Sequence, residues 1–149
     1  MAEALMVPEH LAPAYGVSMV EAYKRYLKRA FTFRGYASRS EYWWACLVNM
    51  LIVMAFYFLM GVVLYIDESS GGRGGSVAGV LAMILLGCFL LFLPLNTVPQ
   101  LAVFVRRMHD GGRSGWWWLL TFVPLGGLVM LIFACMESRP DLWRPEWSR

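Results

Sequence analysis

Three stretches of this chain carry no charged side chain: Trp43 to Ile66, Val77 to Val105 and Trp116 to Met136. As helices rising about 1.5 Å per residue, runs of about 24, 29 and 21 residues are each long enough to cross the roughly 30 Å hydrocarbon core of a bilayer. Composition agrees: 59% of the 149 residues are hydrophobic, 15% are charged and the mean hydropathy is +0.54. Soluble domains carry about a quarter of their residues as charges. The expectation is an all-α integral membrane protein with three transmembrane helices, near 43–66, 77–105 and 116–136, preceded by a basic amphipathic interfacial helix over 18–31. Residues 1–17 form an N-terminal extension, 18–136 the membrane domain and 137–149 a C-terminal tail.

The segment SMVEAYKRYLKRAF supplies the amphipathic helix. Ser18 and Glu21 match the S-x-x-E capping box, in which hydroxyl and carboxylate each satisfy an orphan amide. Met19, Tyr23, Tyr26, Leu27 and Ala30 recur at helical spacing, with Lys24, Arg25, Lys28 and Arg29 mostly on the other side. Beside a span, such a helix is expected in the headgroup plane, the competing reading being a helix packed on protein. MAEALMVPEH has no basic region followed by an apolar one, so a cleavable signal peptide is not expected there. Cys46, Cys88 and Cys135 sit in separate apolar runs without ligand spacing and read as small apolar residues.

Between the first two runs, DESSGGRGGS is a flexible polar loop; its GGRGG lacks the GK[ST] of a phosphate loop. In the second run Pro94 and Pro99, with Asn96 and Gln100 nearby, predict a kinked or tilted helix, a re-entrant break being the alternative. Lys24, Arg25, Lys28, Arg29, Arg34 and Arg39 precede the first run, and Arg106, Arg107 and Arg113 follow the second. With three spans the positive-inside rule puts these segments in the cytoplasm and the Asp67–Ser76 loop and the tail outside.

Two segments therefore meet one interface: FTFRGYASRSEYWW from Phe31 to Trp44, and RRMHDGGRSGWWW from Arg106 to Trp118. Each combines arginines, one acid, a glycine and tryptophans that favour the headgroup region. The second reads as a helical hairpin. Arg106, Arg107 and His109 complement a helix C-terminus, Gly111 or Gly112 takes a left-handed cap, and Ser114 caps the next helix. Asp110 and Glu41 are expected to pair across helices, Asp110 with Arg39 or Glu41 with Arg107, and so to dock the hairpin on the first helix.

His109, Asp110 and Ser114 are triad residue types, yet triads assemble from separate parts of a fold. Metal-dependent phosphohydrolysis needs further His and Asp ligands, and the other histidine is the distant His10. No catalytic residue, metal or cofactor is therefore expected, and no nucleic-acid partner.

The two motifs together resemble those of the YhaH-type bacterial inner-membrane family, domain of unknown function 805. Members look like F-x-G-R-x-x-R-x-E-[YF]-W before the first span and R-R-x-H-D-x-x-[RK]-S-[GA]-W-W before the last. Here the first runs from Phe33 to Trp43 and the second from Arg106 to Trp117, and the likeness covers Tyr23 to Met136. Tyr36 stands where the family usually has an arginine, and Trp143-Arg144-Pro145 replaces its usual tail pattern. The resemblance implies a multi-pass inner-membrane protein and imports no activity.

The leading functional expectation is a non-enzymatic protein binding anionic lipid headgroups or a membrane protein partner, or a second copy of itself. The surface would comprise Arg34, Arg39, Glu41, Trp43, Arg106, Arg107, His109, Asp110, Arg113, Ser114 and Trp116. A small oligomeric transporter or channel built around Pro94–Gln100 is the second class, although no Asp, Glu, Lys or Arg lies within a run to carry a proton relay. An interfacial lipid-modifying enzyme using His109, Asp110 and Glu41 is the third.

Overall fold

In the computed structural model, residues 7–69, 71 and 77–148 are described. Four α-helices follow in order: α1 (Met19–Lys28), α2 (Arg39–Ser69), α3 (Val77–Asp110) and α4 (Gly126–Cys135). A 3-10 helix, Gly115–Phe122, lies between α3 and α4, and two short 3-10 turns, Pro140–Leu142 and Pro145–Trp147, shape the tail. The expected loop after the first run lies largely outside the described residues.

Two helices, α2 and α3, are long and apolar enough to cross a membrane. Their apolar lengths make up a compact unit of residues 47–97, in which Phe56 packs on Phe89 and Phe92, and Tyr57 on Phe89. Most large side chains here are exposed, Phe58 and Tyr65 among them, which in water would be untenable over such an area. α3 continues through Pro94 and Pro99, so no re-entrant break occurs there.

The third apolar run departs from the expected span. It folds as a hairpin whose legs, the 3-10 helix and α4, pack on each other. At about 2.0 Å and 1.5 Å per residue, the legs are about 16 and 15 Å long, half of a hydrocarbon core. The cause is local. Pro124 drives Val123 into extended conformation, ψ 136°, and Leu125 then turns left-handed at φ 63°. Gly126 passes so close to the first leg that a Cβ there would collide with the Leu120 carbonyl oxygen. Trp117 meets Phe133 edge-on, and Thr121 Oγ1 lies 3.3 Å from Met130 Sδ.

The second compact unit joins residues 1–46 with 98–149. Its core is Tyr26, Ala37, Ala45 and Val103, with Tyr23 and Tyr42 against it. Ser18 caps α1 by accepting from Glu21 N, as its sequence predicts. The inward residues of α1 are Ala22 and Tyr26, followed by the buried C-cap Arg29, whereas Met19 and Leu27 are exposed. α1 thus packs on its own chain through a narrower stripe than its apolar residues suggested.

Because the hairpin returns, the tail comes back to where the hairpin began. Arg139 N donates to Asp110 O (2.8 Å), Gly35 N to Trp147 O (2.7 Å), and Tyr36 stacks on Trp143 with ring centres 3.9 Å apart. This corrects the placement of the tail on the far side from residues 106–115. The turn generates opposite expectations for neighbouring residues. Gly126→Ala collides with backbone and should lower the unfolding midpoint in detergent by the equivalent of more than about 2 kcal/mol. Leu125→Gly should be neutral or stabilise by up to about 1 kcal/mol, because it relieves a left-handed conformation.

Candidate functional site

The ends of α2 and α3 carry the two sequence motifs, and the first is organised by Glu41. Ser38 and Glu41 form a capping box at the start of α2: Glu41 N donates to Ser38 Oγ (3.2 Å) and Ser38 N to Glu41 Oε2 (3.1 Å). Ala14 N also donates to Oε2 (3.0 Å), and Arg25 Nε to Oε1 (2.5 Å). One buried carboxylate therefore joins the N-terminal extension, α1 and α2. Ser38 Oγ donates to Ala14 O, and Arg25 and Arg29 both donate to Ala12 O.

The second motif ends α3 in a Schellman turn. Arg113 N donates to Met108 O and Gly112 N to His109 O, with Gly112 at φ 74°. Ser114 then accepts from Trp116 N and caps the 3-10 helix. Arg107 and Asp110, three residues apart on α3, pair at 2.5 Å with both side chains fully enclosed. Arg107 Nε donates to Ala134 O (3.1 Å), and Nη2 donates to Met136 O. These carbonyls belong to the end of α4, which favours a cation. Asp110 accepts from Ser138 Oγ (2.5 Å) and Tyr15 Oη, while Trp143 Nε1 donates to its backbone oxygen.

The sequence-predicted residues divide into two groups. Glu41, Arg106, Arg107, His109 and Asp110 are buried; Arg34, Arg39, Trp43, Ser114 and Trp116 are exposed. Half-buried Arg113 lies over the Phe133 ring at 4.2 Å and reaches Met136 Sδ. The expected pairs are replaced: Asp110 takes Arg107 rather than Arg39, and Glu41 takes Arg25 rather than Arg107. Buried Arg106 donates from Nε to Ala102 O and accepts from Ala37 N at its backbone oxygen. His109 Nδ1 lies 3.3 Å from Gly35 O and its ring stacks on Trp147, so His109 and Asp110 serve different partners. Sequence reasoning missed Tyr15, Arg25, Ser138 and the tail tryptophans. The Ser138 hydroxyl just beyond the last apolar run was a usable signal for Asp110.

Arg34, Ser114 and Trp116 of the exposed group border a groove of about 440 Å³, whereas Arg39 and Trp43 lie outside it. Its apolar lining includes Phe33, Leu101, Val105, Trp116 and Trp118, and its polar lining Arg34, His109, Ser114 and Glu146. Leu101 and Val105 belong to the last apolar turns before Arg106.

The model for "Protein of unknown function (DUF805)" matches residues 30–144. The chain belongs to this family. Inner membrane protein YhaH of Escherichia coli (strain K12) is 37% identical over 119 residues, covering 79% of this chain and 87% of that protein. Inner membrane protein YhaI of the same organism is 34% identical over 117 residues, covering 78% and 84%. No solved structure matches. The match starts just before the first motif and ends at Arg144, so it includes Glu41, Arg107, Asp110 and Ser138 but not their partners Ala14, Tyr15 and Arg25. With its long apolar helices, the chain is a transmembrane protein of an uncharacterised family.

The Arg107–Asp110 pair predicts a specific mutational pattern. Asp110→Ala leaves an enclosed guanidinium without its counter-charge and should cost about 3–5 kcal/mol in detergent unfolding. Adding Arg107→Met should recover part of that loss, whereas charge swaps between Asp110 and Arg39 should recover none. Recovery with Arg39 in place of Arg107 would refute the assignment.

Proposed function

We propose that this DUF805 member is a non-enzymatic inner-membrane protein that binds the anionic headgroups of phospholipids in the groove beside Arg34. In this reading α2 and α3 cross the bilayer, and the Gly115–Cys135 hairpin dips into the cytoplasmic leaflet and returns. The N-terminal segment, residues 106–115 and the tail then share the cytoplasm. Arg139 and Arg144, which three spans would have put outside, join the basic side, in keeping with the positive-inside rule.

The observation that carries the reading is the groove's mixed lining. An acyl chain would lie on Leu101, Val105 and Trp118, at the depth where the apolar run ends, and a phosphate would reach Arg34 and Ser114. Trp116, 73% exposed, favours the same interfacial depth. The enclosed arginines Arg106 and Arg107 hold the scaffold and leave recognition to the exposed residues. The different partners of His109 and Asp110 support a structural role over an acid–base one.

Two measurements test the proposal. After replacement of Cys46, Cys88 and Cys135, single cysteines at Lys24 and Asp141 should both label from the cytoplasmic face and one at Ser69 from the opposite face. Labelling of Asp141 together with Ser69 would restore a third span. A photoactivatable phosphatidylglycerol should crosslink to the groove, and Arg34→Ala with Trp116→Ala should reduce the yield about tenfold at unchanged thermal stability. Equal crosslinking in that double variant would overturn the lipid reading.

A further inference from the structure

A different basic site lies along α1, independent of the groove. Arg25, Lys28 and Arg29 are spaced i, i+3 and i+4, which puts them on one side of the helix. That side closes a cavity of about 440 Å³ whose other walls are Glu9, His10 and Thr32. Its volume falls in the roughly 300–1,000 Å³ range of small-molecule sites.

The charges there do not balance. Arg106, buried and not part of the cavity lining, lies within electrostatic range of Arg25, Arg29 and Glu41. Four cations, Arg25, Lys28, Arg29 and Arg106, thus stand against two carboxylates, Glu41 inside and Glu9 at the wall, leaving two positive charges. The guanidinium groups of Arg25 and Arg29 converge on one neutral acceptor, Ala12 O, at 2.9 and 3.3 Å. Arg25 also gives Nε to Glu41, and Arg29 points both Nη groups at Ala12 O; with five N–H donors on each guanidinium, further N–H bonds are left for an oxyanion. Burial pushes the Arg29 group below its ordinary pKa, and Arg25 adds to that effect, as expected where positive charge is under-compensated.

We propose that this cavity binds a phosphate monoester group, held by the Lys28 ammonium beside Thr32 and by the N–H groups of Arg25 and Arg29 that Glu41 and Ala12 O leave over. A monoester carries about −1.5 to −2 charges at neutral pH and three acceptor oxygens, which matches both the excess charge and the donor geometry. Phosphodiesters carry a single negative charge and match less well. The group can come from a soluble phosphate compound or from a lipid with a monoester headgroup such as phosphatidate.

The test uses the full chain in detergent micelles and in vesicles. Calorimetric titration with inorganic phosphate should give one saturable site, which Lys28→Glu weakens about tenfold while Lys24→Glu, on the same helix but away from the cavity, leaves it unchanged. Binding of inorganic phosphate identifies a soluble source. Failure of inorganic phosphate, with a photoactivatable phosphatidate labelling residues 24–32 in a Lys28-dependent way, identifies a lipid source. Lys28→Ala replaces the reversal if circular dichroism shows Lys28→Glu unfolded. The proposal is overturned if neither probe binds, if Lys24→Glu and Lys28→Glu weaken binding equally, or if phosphatidylglycerol labels the segment as strongly as phosphatidate. None of these outcomes depends on Arg34 or Trp116, so failure here leaves the groove untouched.

Discussion

The Arg107–Asp110 pair joins the end of α3 to the end of α4 and to the segment that follows it. Both side chains are fully enclosed, and each has further polar partners: Arg107 the last carbonyls around α4, Asp110 the hydroxyl of Ser138. A buried ion pair is a poor source of net stability, because desolvation opposes the Coulomb attraction. Its effect is on which arrangement forms. Apolar legs in lipid gain little from choosing one apolar neighbour over another, so polar contacts decide the docking. Arg107 fixes the end of the hairpin and Ser114 caps its beginning, which brings entry and exit to the same place.

Glu41 does comparable work for the N-terminal part. Its capping bonds define where α2 starts, and its bonds to Ala14 and Arg25 attach the preceding segments to that start. An N-cap contributes about 1 kcal/mol by itself. Sharing one carboxylate among three segments makes the helix start conditional on the extension and α1 being in place. The motif's buried charges thereby become scaffold, while Arg34, Arg39 and Ser114 stay exposed.

Length and hydropathy were enough to locate α2 and α3, since a charge-free run longer than a bilayer leaves few alternatives. The Ser18 and Ser114 caps and the left-handed Gly112 were also legible, because each depends on local backbone chemistry. The third run misled because hydropathy counts side chains and ignores the backbone. Pro124-Leu125-Gly126-Gly127 carries the break in plain view, but its residues are as apolar as those of a span. The ion pairs were mis-assigned for a related reason. Depth in the membrane narrows partners to a layer, whereas the i, i+3 spacing of Arg107 and Asp110 was the stronger constraint. The docking of the tail has no periodicity to betray it, since two 3-10 turns place isolated aromatic rings.

That docking explains the two positions at which this chain departs from the motif pattern it resembles. Tyr36 occupies the place of a usual arginine, and Trp143-Arg144-Pro145 stands in an atypical tail. In the fold these are neighbours: Tyr36 is wholly buried, stacks on Trp143 at 15° between ring planes, and donates its hydroxyl to Arg144 O at 3.1 Å. A guanidinium enclosed there would need acceptors for several N–H groups, whereas a phenol needs one and brings a ring face for an indole to cover. Tyrosine without the tryptophan would lose its stacking partner, and tryptophan opposite an arginine would face a different recognition problem. The two departures therefore behave as one change, in which stacked rings and the Tyr36 hydroxyl add to the Gly35–Trp147 backbone hydrogen bond that fastens the tail to the first motif.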